Sequence, residues 1–155
     1  LYNRCYFFEH GNQLLNMQSA APALTVMMMD IDFFKKINDK FGHDVGDEVI
    51  KNFANVLKDY FSDDLVARIG GEEFAVISQS PQYLDSFDHI NQFRLAVANQ
   101  TIQVKHEALR YTCSIGVTTI LGRDLDEMLA QADNYLYQAK YAGRNQISGS
   151  LAQNN

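Results

Sequence analysis

Residues 65–79 read Leu-Val-Ala-Arg-Ile-Gly-Gly-Glu-Glu-Phe-Ala-Val-Ile-Ser-Gln. Two short apolar runs, 65–69 and 74–77, flank Gly70 and Gly71. Paired glycines accept the positive φ of tight primed turns, so the pattern predicts a β-hairpin. Glycine also lacks a Cβ, which lets a ligand approach the backbone. Glu72 and Glu73 follow at once. Neighbouring like charges cost energy unless a cation or water offsets them. By itself the stretch reads equally well as a surface hairpin with solvated acids or as a metal site.

Upstream, residues 24–31 are almost continuously apolar and run into Asp30-Ile31-Asp32. A run so short and so apolar predicts a central strand covered on both faces, with carboxylates at its mouth. Met27, Met28 and Met29 read as core filling. Ala20-Ala21-Pro22-Ala23 is a break. Residues 1–17 before it read as a helix with Tyr2, Cys5, Tyr6 and Leu14 inward. Between strand and hairpin, residues 33–41 predict a short helix. A second helix begins after Gly42, with Val49, Ile50, Phe53, Val56, Leu57 and Tyr60 at helical spacing.

Downstream, Pro81 can open a helix with Leu84, Phe87, Ile90 and Val97 inward. Residues 100–104 read as a strand, 105–110 as a turn, and 111–120 as a long strand with Tyr111, Cys113, Ile115 and Val117 on one face. Asp124 caps the last helix, and Glu127 completes a capping box. Leu125, Met128, Leu129, Ala132, Leu136 and Ala139 form its buried stripe, and Gly143 stands where a C-terminal glycine cap belongs. A short strand over 146–148 precedes a tail expected to be disordered. The order implies an α+β fold, a central, mainly antiparallel sheet flanked by helices packed on one side. Both acidic pairs, Asp30/Asp32 and Glu72/Glu73, fall at strand ends or turns, where they can converge.

The chain has 155 residues, enough for one domain over 1–155 with a single core. Its composition, 46% hydrophobic and 21% charged, is that of a globular protein. No apolar run approaches the roughly 20 residues of a membrane span. The first residue is Leu1 in an apparent helix, so a fragment of a longer protein is expected. A net charge of −6 argues against bulk DNA or RNA binding, which needs a basic surface, but leaves room for one nucleotide held by a metal. Cys5 and Cys113 lie far apart without ligand spacing and read as buried thiols in a reducing compartment.

Four blocks now stand in order: Asp30-Ile31-Asp32-Phe33-Phe34-Lys35-Lys36-Ile37-Asn38-Asp39; Gly42-His43-Asp44-Val45-Gly46-Asp47; Arg68-Ile69-Gly70-Gly71-Glu72-Glu73-Phe74; and Ala132-Asp133 with Tyr137-Gln138-Ala139-Lys140-Tyr141-Ala142-Gly143-Arg144-Asn145. In this order and spacing they closely resemble the GGDEF-domain family, the diguanylate cyclases, in its Gly-Gly-Glu-Glu-Phe variant. The resemblance covers residues 1 to about 148, and Leu1-Tyr2-Asn3-Arg4 is similar to the end of that family's opening motif. It implies a fold similar to nucleotidyl cyclase and polymerase palm domains. It implies condensation of two GTP into cyclic di-GMP with release of two pyrophosphates, one GTP per domain, two domains facing each other as a homodimer. The expected setting is cytoplasmic, without membrane contact from this domain. A sensing and dimerisation region would lie before Leu1, and membrane attachment through it stays open.

The chemistry asks for these residue types. Mg²⁺, or Mn²⁺, prefers carboxylate, carbonyl and phosphate oxygen, and paired ions can activate an attacking hydroxyl and stabilise leaving pyrophosphate. By resemblance, Asp30 and Glu72 carry the metal with the Ile31 carbonyl, and Glu73 acts as base or as a further metal contact. Asp32 is better placed than Asp30 to cap the following helix. Amide N–H groups at Phe33, Phe34 and Lys35 can face phosphate, beside Gly70 and Gly71. Lys140 and Arg144 lie at the end of the last helix. They read either as cations on the helix dipole or, by resemblance, as phosphate ligands. Asn38 and Asp47 match the guanine-reading pair: Asp only accepts, Asn does both. Otherwise they read as a turn former and a helix N-terminal acid. His43 reads as structural.

One departure stands out. Many members of the family carry an Arg-x-x-Asp motif that binds product and inhibits the enzyme. Here the stretch is Phe61-Ser62-Asp63-Asp64, with Asp64 retained and Phe61 in place of arginine. That product-inhibition site is therefore expected to be absent, leaving Arg94 and Arg110 as other arginines able to meet cyclic di-GMP. Two other classes compete. A silent domain that binds GTP or cyclic di-GMP would usually have lost motif residues, and none is lost. A calcium module on Asp30, Asp32 and Asn38 fails the EF-hand spacing, since Phe34 sits where an oxygen ligand belongs.

Overall fold

The computed structural model describes residues 1–17 and 24–150; the expected break at 20–23 and the expected disordered tail lie outside them. Strand β1 (Thr25–Ile31) is buried along its whole length. It lies at the centre of a five-stranded sheet ordered β2-β3-β1-β6-β7, with β2 (Leu65–Arg68), β3 (Glu73–Ser78), β6 (Cys113–Thr118) and β7 (Ile147–Ser150). The β2–β3, β3–β1 and β1–β6 pairs are antiparallel, and β7 alone runs parallel to its neighbour β6.

Because side chains alternate along a strand, an apolar run buried throughout must be covered twice. Helices do cover both faces, where the sequence reading had them on one side. Met27, Met29 and Ile31 join Phe74, Val76, Ile115 and Val117 against α2 (Phe34–Phe41), α3 (His43–Tyr60) and α5 (Asp88–Asn99). Val26 and Met28 join Ala67, Ala75 and Ile77 against α1 (Arg4–Asn16) and α6 (Leu125–Tyr141).

The stripe expected on α6 is the stripe that is buried. Asp124 accepts a hydrogen bond from the Glu127 N–H, but the Glu127 side chain turns to Arg123, so the capping box is half made. At the other end, Gly143 takes φ 125°. Its N–H donates to the Lys140 carbonyl at 3.3 Å and the Arg144 N–H to the Ala139 carbonyl at 3.0 Å, the double bond of a Schellman motif.

Several local expectations change. In α1 the buried residues are Phe7, Gly11 and Leu15, while Tyr2 and Cys5 are exposed and Tyr6 and Leu14 half-buried. The inner stripe of so short an amphipathic segment is decided by what it packs on, here Ile77 and Leu125 beside Gly11. The helix after Pro81 is two, α4 (Gln82–Asp85) and α5, and it is Tyr83, Ile90, Phe93 and Val97 that go inward. Residues 105–110 are more than a turn: Lys105 and His106, both at positive φ, join β4 (Ile102–Val104) to β5 (Glu107–Leu109) in a separate hairpin.

The 65–79 hairpin forms, but through a wider loop than a primed turn. Neither Gly70 nor Gly71 has positive φ. The Ile69 N–H donates to the Glu73 carbonyl at 2.8 Å, and Arg68 folds over the tip to donate to the carbonyls of Gly70 and Gly71. A Cβ built at Gly71 would meet nothing within 4 Å, so the backbone there stays open to approach.

Helix α6 lies directly on β6 at Gly116. A Cβ there would collide with the backbone of Ala132 and Leu136. Backbone cannot swing aside as a side chain can, so overpacking at this point costs more than its usual 1–3 kcal/mol, about 3 kcal/mol or above. Gly116→Ala is expected to lower the unfolding free energy by that amount in chemical denaturation, while wild-type stability would show that α6 can lift off the sheet.

Candidate active site

Strand alternation puts Asp30 on the same face as Val26 and Met28, under α6. The register sets Glu73 of β3 directly opposite Asp30, and Ser114 of β6 opposite on the other side. The Ile31 N–H meets the Glu72 carbonyl at 3.4 Å, which holds the acidic loop to the strand end. The two acidic groups therefore converge, as their places at strand ends suggested.

Asp30 is only 5% exposed. Its Oδ2 accepts from the Lys140 ammonium, which the last turn of α6 carries back over the sheet. Its Oδ1 is buried with no hydrogen-bond partner. Burial pushes the Asp30 carboxyl up to about 6; Lys140 pulls it down, and Glu72 and Glu73 push it further up. An orphaned buried carboxylate oxygen that feels the charge of two glutamates favours a nearby cation, a demand that Lys140 meets from the other oxygen. Among the described residues no three His, Cys, Asp or Glu side chains gather round one point. A cation held here would need further ligands from water or from a bound molecule, as Mg²⁺ commonly has.

A cavity of about 300 Å³ opens here. Asp30 and Ile31 line it from the end of β1, Asp32 from just beyond the strand, residues 33–36 from the start of α2, and Glu72, Lys140 and Arg144 complete it. Phe33 sits at φ 57° and offers no side-chain cap, so the first N–H groups of α2 stay free of intrahelical acceptors. Lys36 and Arg144 each lie 4.6 Å from the Phe33 ring centroid, which makes that ring a platform for two cations.

Asp32 does not cap α2. Its Oδ1 accepts from Ser114 Oγ at 2.6 Å, and its Oδ2 from Thr112 Oγ1 at 2.6 Å and from the Asn145 N–H at 3.0 Å. Phe33 in the left-handed region turns the chain before a side-chain cap could form. Arg144 and Asn145 are left-handed too, at φ 65° and 49°, a conformation costing roughly 1–2 kcal/mol per non-glycine residue. Arg94 bonds Asn91 through Nε and Asn145 through Nη1; Arg110 donates to Thr101.

Asn38 and Asp47 lie outside this cavity, on α2 and α3. Asp47 is exposed. The Asn38 Oδ1 is buried without a partner, in space that a Cβ on Gly46 would fill. His43 is exposed in the first turn of α3, away from the carboxylates. Phe61 is 1% exposed and packs edge-on to His89 and Phe93. Its position is therefore a core position. Asp64 lies beside it, and burial raises its carboxyl against a hydrogen bond from Ser78.

Reading the sequence for ligands missed the positioning work of Asp32, Arg68 and Arg94. Asn145, a residue that tolerates left-handed backbone just after a helix-ending glycine, was the one available signal.

Residues 1–146 match the family model described as diguanylate cyclase, GGDEF domain. The response regulator PleD of Caulobacter vibrioides is 39% identical over a 158-residue alignment covering 98% of this chain and 35% of that protein. Probable diguanylate cyclase DgcT of Escherichia coli is 40% identical, covering 95% and 33%. The chain thus spans about a third of the length of these relatives. Among solved structures, the active GGEEF domain of a diguanylate cyclase from Vibrio cholerae superposes with a TM-score of 0.86 at 29% identity, covering 96% of this chain and 97% of that one. The GGDEF domain of DgcB from Caulobacter crescentus, in complex with c-di-GMP, gives 0.87 at 28% identity, covering 96% and 88%.

The state of Asp30 is testable on the metal-free domain. A carboxyl whose folded pKa is raised adds stability while protonated, below its ordinary value near 3.8, and that stability is lost as pH rises through about 6. Asp30→Asn mimics the protonated form. In chelator, its melting temperature should match wild type near pH 4 and exceed it by a few degrees above pH 7, since about 1 kcal/mol moves a domain this size by roughly 2–4 °C. An equal gap at every pH would rule out a perturbed Asp30.

Proposed function

Because the chain belongs to the GGDEF domain family of diguanylate cyclases, we propose that it condenses two GTP into cyclic di-GMP with release of two pyrophosphates, one GTP on each of two copies. The observation that carries this reading is the buried Asp30 carboxylate, with one oxygen unpartnered, set opposite Glu73 and beside Lys140.

Asp30, Glu72 and the Ile31 carbonyl would hold Mg²⁺ or Mn²⁺, which supplies activation of the 3′-hydroxyl and charge for the leaving pyrophosphate. The residues of this chain do the remaining work. Lys140 and Arg144 meet phosphate oxygens, and so do the free N–H groups at Phe33, Phe34 and Lys35. The open backbone at Gly70 and Gly71 lets the nucleotide come close. Glu73, on the sheet face beside Asp30, is suited to accept the hydroxyl proton or to add a metal contact. Asn38 and Asp47 read guanine, and the unpartnered Asn38 Oδ1 supports that role because it awaits a donor.

Phe61 offers no cation at the position of the family's inhibitory arginine, so tight product inhibition there is not expected. An arginine put in its place would bury a charge among Phe93, Tyr83 and His89.

Incubation with GTP and Mg²⁺ should yield cyclic di-GMP, with a rate per domain that rises when two copies are fused to a dimeriser. Glu72→Ala should reduce that rate by about a thousandfold or more without loss of fold, the scale on which single electrostatic contributors act. No product from the fused dimer would leave a silent GTP or cyclic di-GMP binder as the better reading.

Base choice is the second test. A site that hydrogen-bonds a substrate group rejects analogues that leave its own groups unpaired, by as much as about 10⁴-fold. ATP presents a donor where guanine has O6 and lacks the N1–H and N2–H donors. GTP should therefore be used and ATP refused, with Asp47→Ala eroding the preference in competition assays; equal use of both by the unaltered domain would remove Asn38 and Asp47 from the assignment.

A further inference from the structure

We propose that Asp32 and Arg94 are positioning residues that hold the Arg144–Asn145 turn by its backbone and so set the guanidinium that meets substrate phosphate. The inference rests on the reading of this cavity as a GTP site.

The turn is secured atom by atom. The Arg144 N–H donates to the Ala139 carbonyl at 3.0 Å, and the Arg144 carbonyl accepts from Gln146 Nε2 at 3.0 Å. The Asn145 N–H donates to Asp32 Oδ2 at 3.0 Å. The Asn145 carbonyl and its Oδ1 both accept from Arg94 Nη1, at 3.0 and 2.7 Å. The Gln146 carbonyl accepts from the Ile115 N–H at 3.0 Å. Two successive non-glycine residues at positive φ relax unless their surroundings over-determine them. Here the end of β1, helix α5 and strand β6 each supply a bond. The result is that Arg144 lies over the Phe33 ring at the rim of the cavity.

The chemistry of the two side chains fits holding rather than reacting. Both Asp32 oxygens are engaged by neutral donors, Oδ2 twice and Oδ1 once, whereas the Asp30 Oδ1 has none. Arg94 reaches the turn from α5 and lines no part of the cavity. A merely structural stitch would make the same contacts. What separates the two is whether the loss on breaking the clamp passes through Arg144.

The test is calorimetric binding of a GTP analogue with a non-cleavable α,β-methylene bridge, in Mg²⁺. It is run on wild type, Arg94→Ala, Asp32→Ala and Asp32→Asn, each also combined with Arg144→Ala. Arg94→Ala should weaken binding about fivefold, within the range of positioning effects, and should add nothing once Arg144 is alanine. Asp32→Asn keeps an oxygen for the Asn145 N–H and should recover most of the affinity lost in Asp32→Ala. Wild-type affinity in folded Arg94→Ala, or the same fold-loss with and without Arg144, overturns the clamp. If Asp32→Ala does not fold, the Arg94 arm decides alone. Absence of binding by the unaltered protein overturns the GTP reading itself.

Discussion

A carboxylate buried at the end of the central strand is the constraint on which the rest of this structure depends. Asp30 is carried inward by the alternation of β1, on the face that α6 covers. A charge there is costly without a counter-charge. The fold answers with Lys140, which lies at the far end of a seventeen-residue helix. That delivery needs α6 to lie flat on the sheet, which Gly116 allows by having no side chain. Core packing and site electrostatics are thus one arrangement: the stripe that seats α6 is also what aims its last turn at the acidic strand end.

Asp30 and Asp32 are two residues apart and equally buried, yet they are chemically opposite. Asp32 is satisfied by two hydroxyls and a backbone N–H and belongs to the scaffold. Asp30 keeps an orphaned oxygen, and burial above all holds its carboxyl high, with Glu72 and Glu73 adding to the rise. In the proposed reaction the first supports and the second binds. The division follows from position: β1 ends at Ile31, so Asp32 lies beyond the strand, where the loops at Thr112 and Asn145 can reach it.

The chain carries a net charge of −6. It nevertheless gathers Lys35, Lys36, Lys140 and Arg144 around one cavity with the free end of α2. A polyanionic ligand would find there both the cations and the N–H donors it needs. Three of the five described non-glycine residues at positive φ, Phe33, Arg144 and Asn145, lie in the same place. Strain of this kind persists where surrounding bonds hold it, and the hydrogen bonds around Asn145 do so.

Much of this was legible in the sequence. The 65–79 hairpin, the buried strand ending in Asp30, the α6 stripe with Asp124 and Gly143, and the four motif blocks are local patterns, set by periodicity, capping and turn chemistry within a few residues. Other features were not legible. The buried face of α1 turned on Gly11 meeting Ile77 and Leu125, residues 66 and 114 positions away. The breadth of the glycine loop turned on Arg68 folding over its tip. Phe61 became core only when α4 and α5 closed over it. Asp32 could have capped a helix by its sequence position, but its partners lie 80, 82 and 113 residues downstream. Sequence by itself determined which elements form and which residue types are available for chemistry, because those depend on near neighbours. Only the tertiary structure decided which carboxylate stays unsatisfied and which cation reaches it, because a buried charge is settled by whatever distant donor the packing brings within hydrogen-bond range.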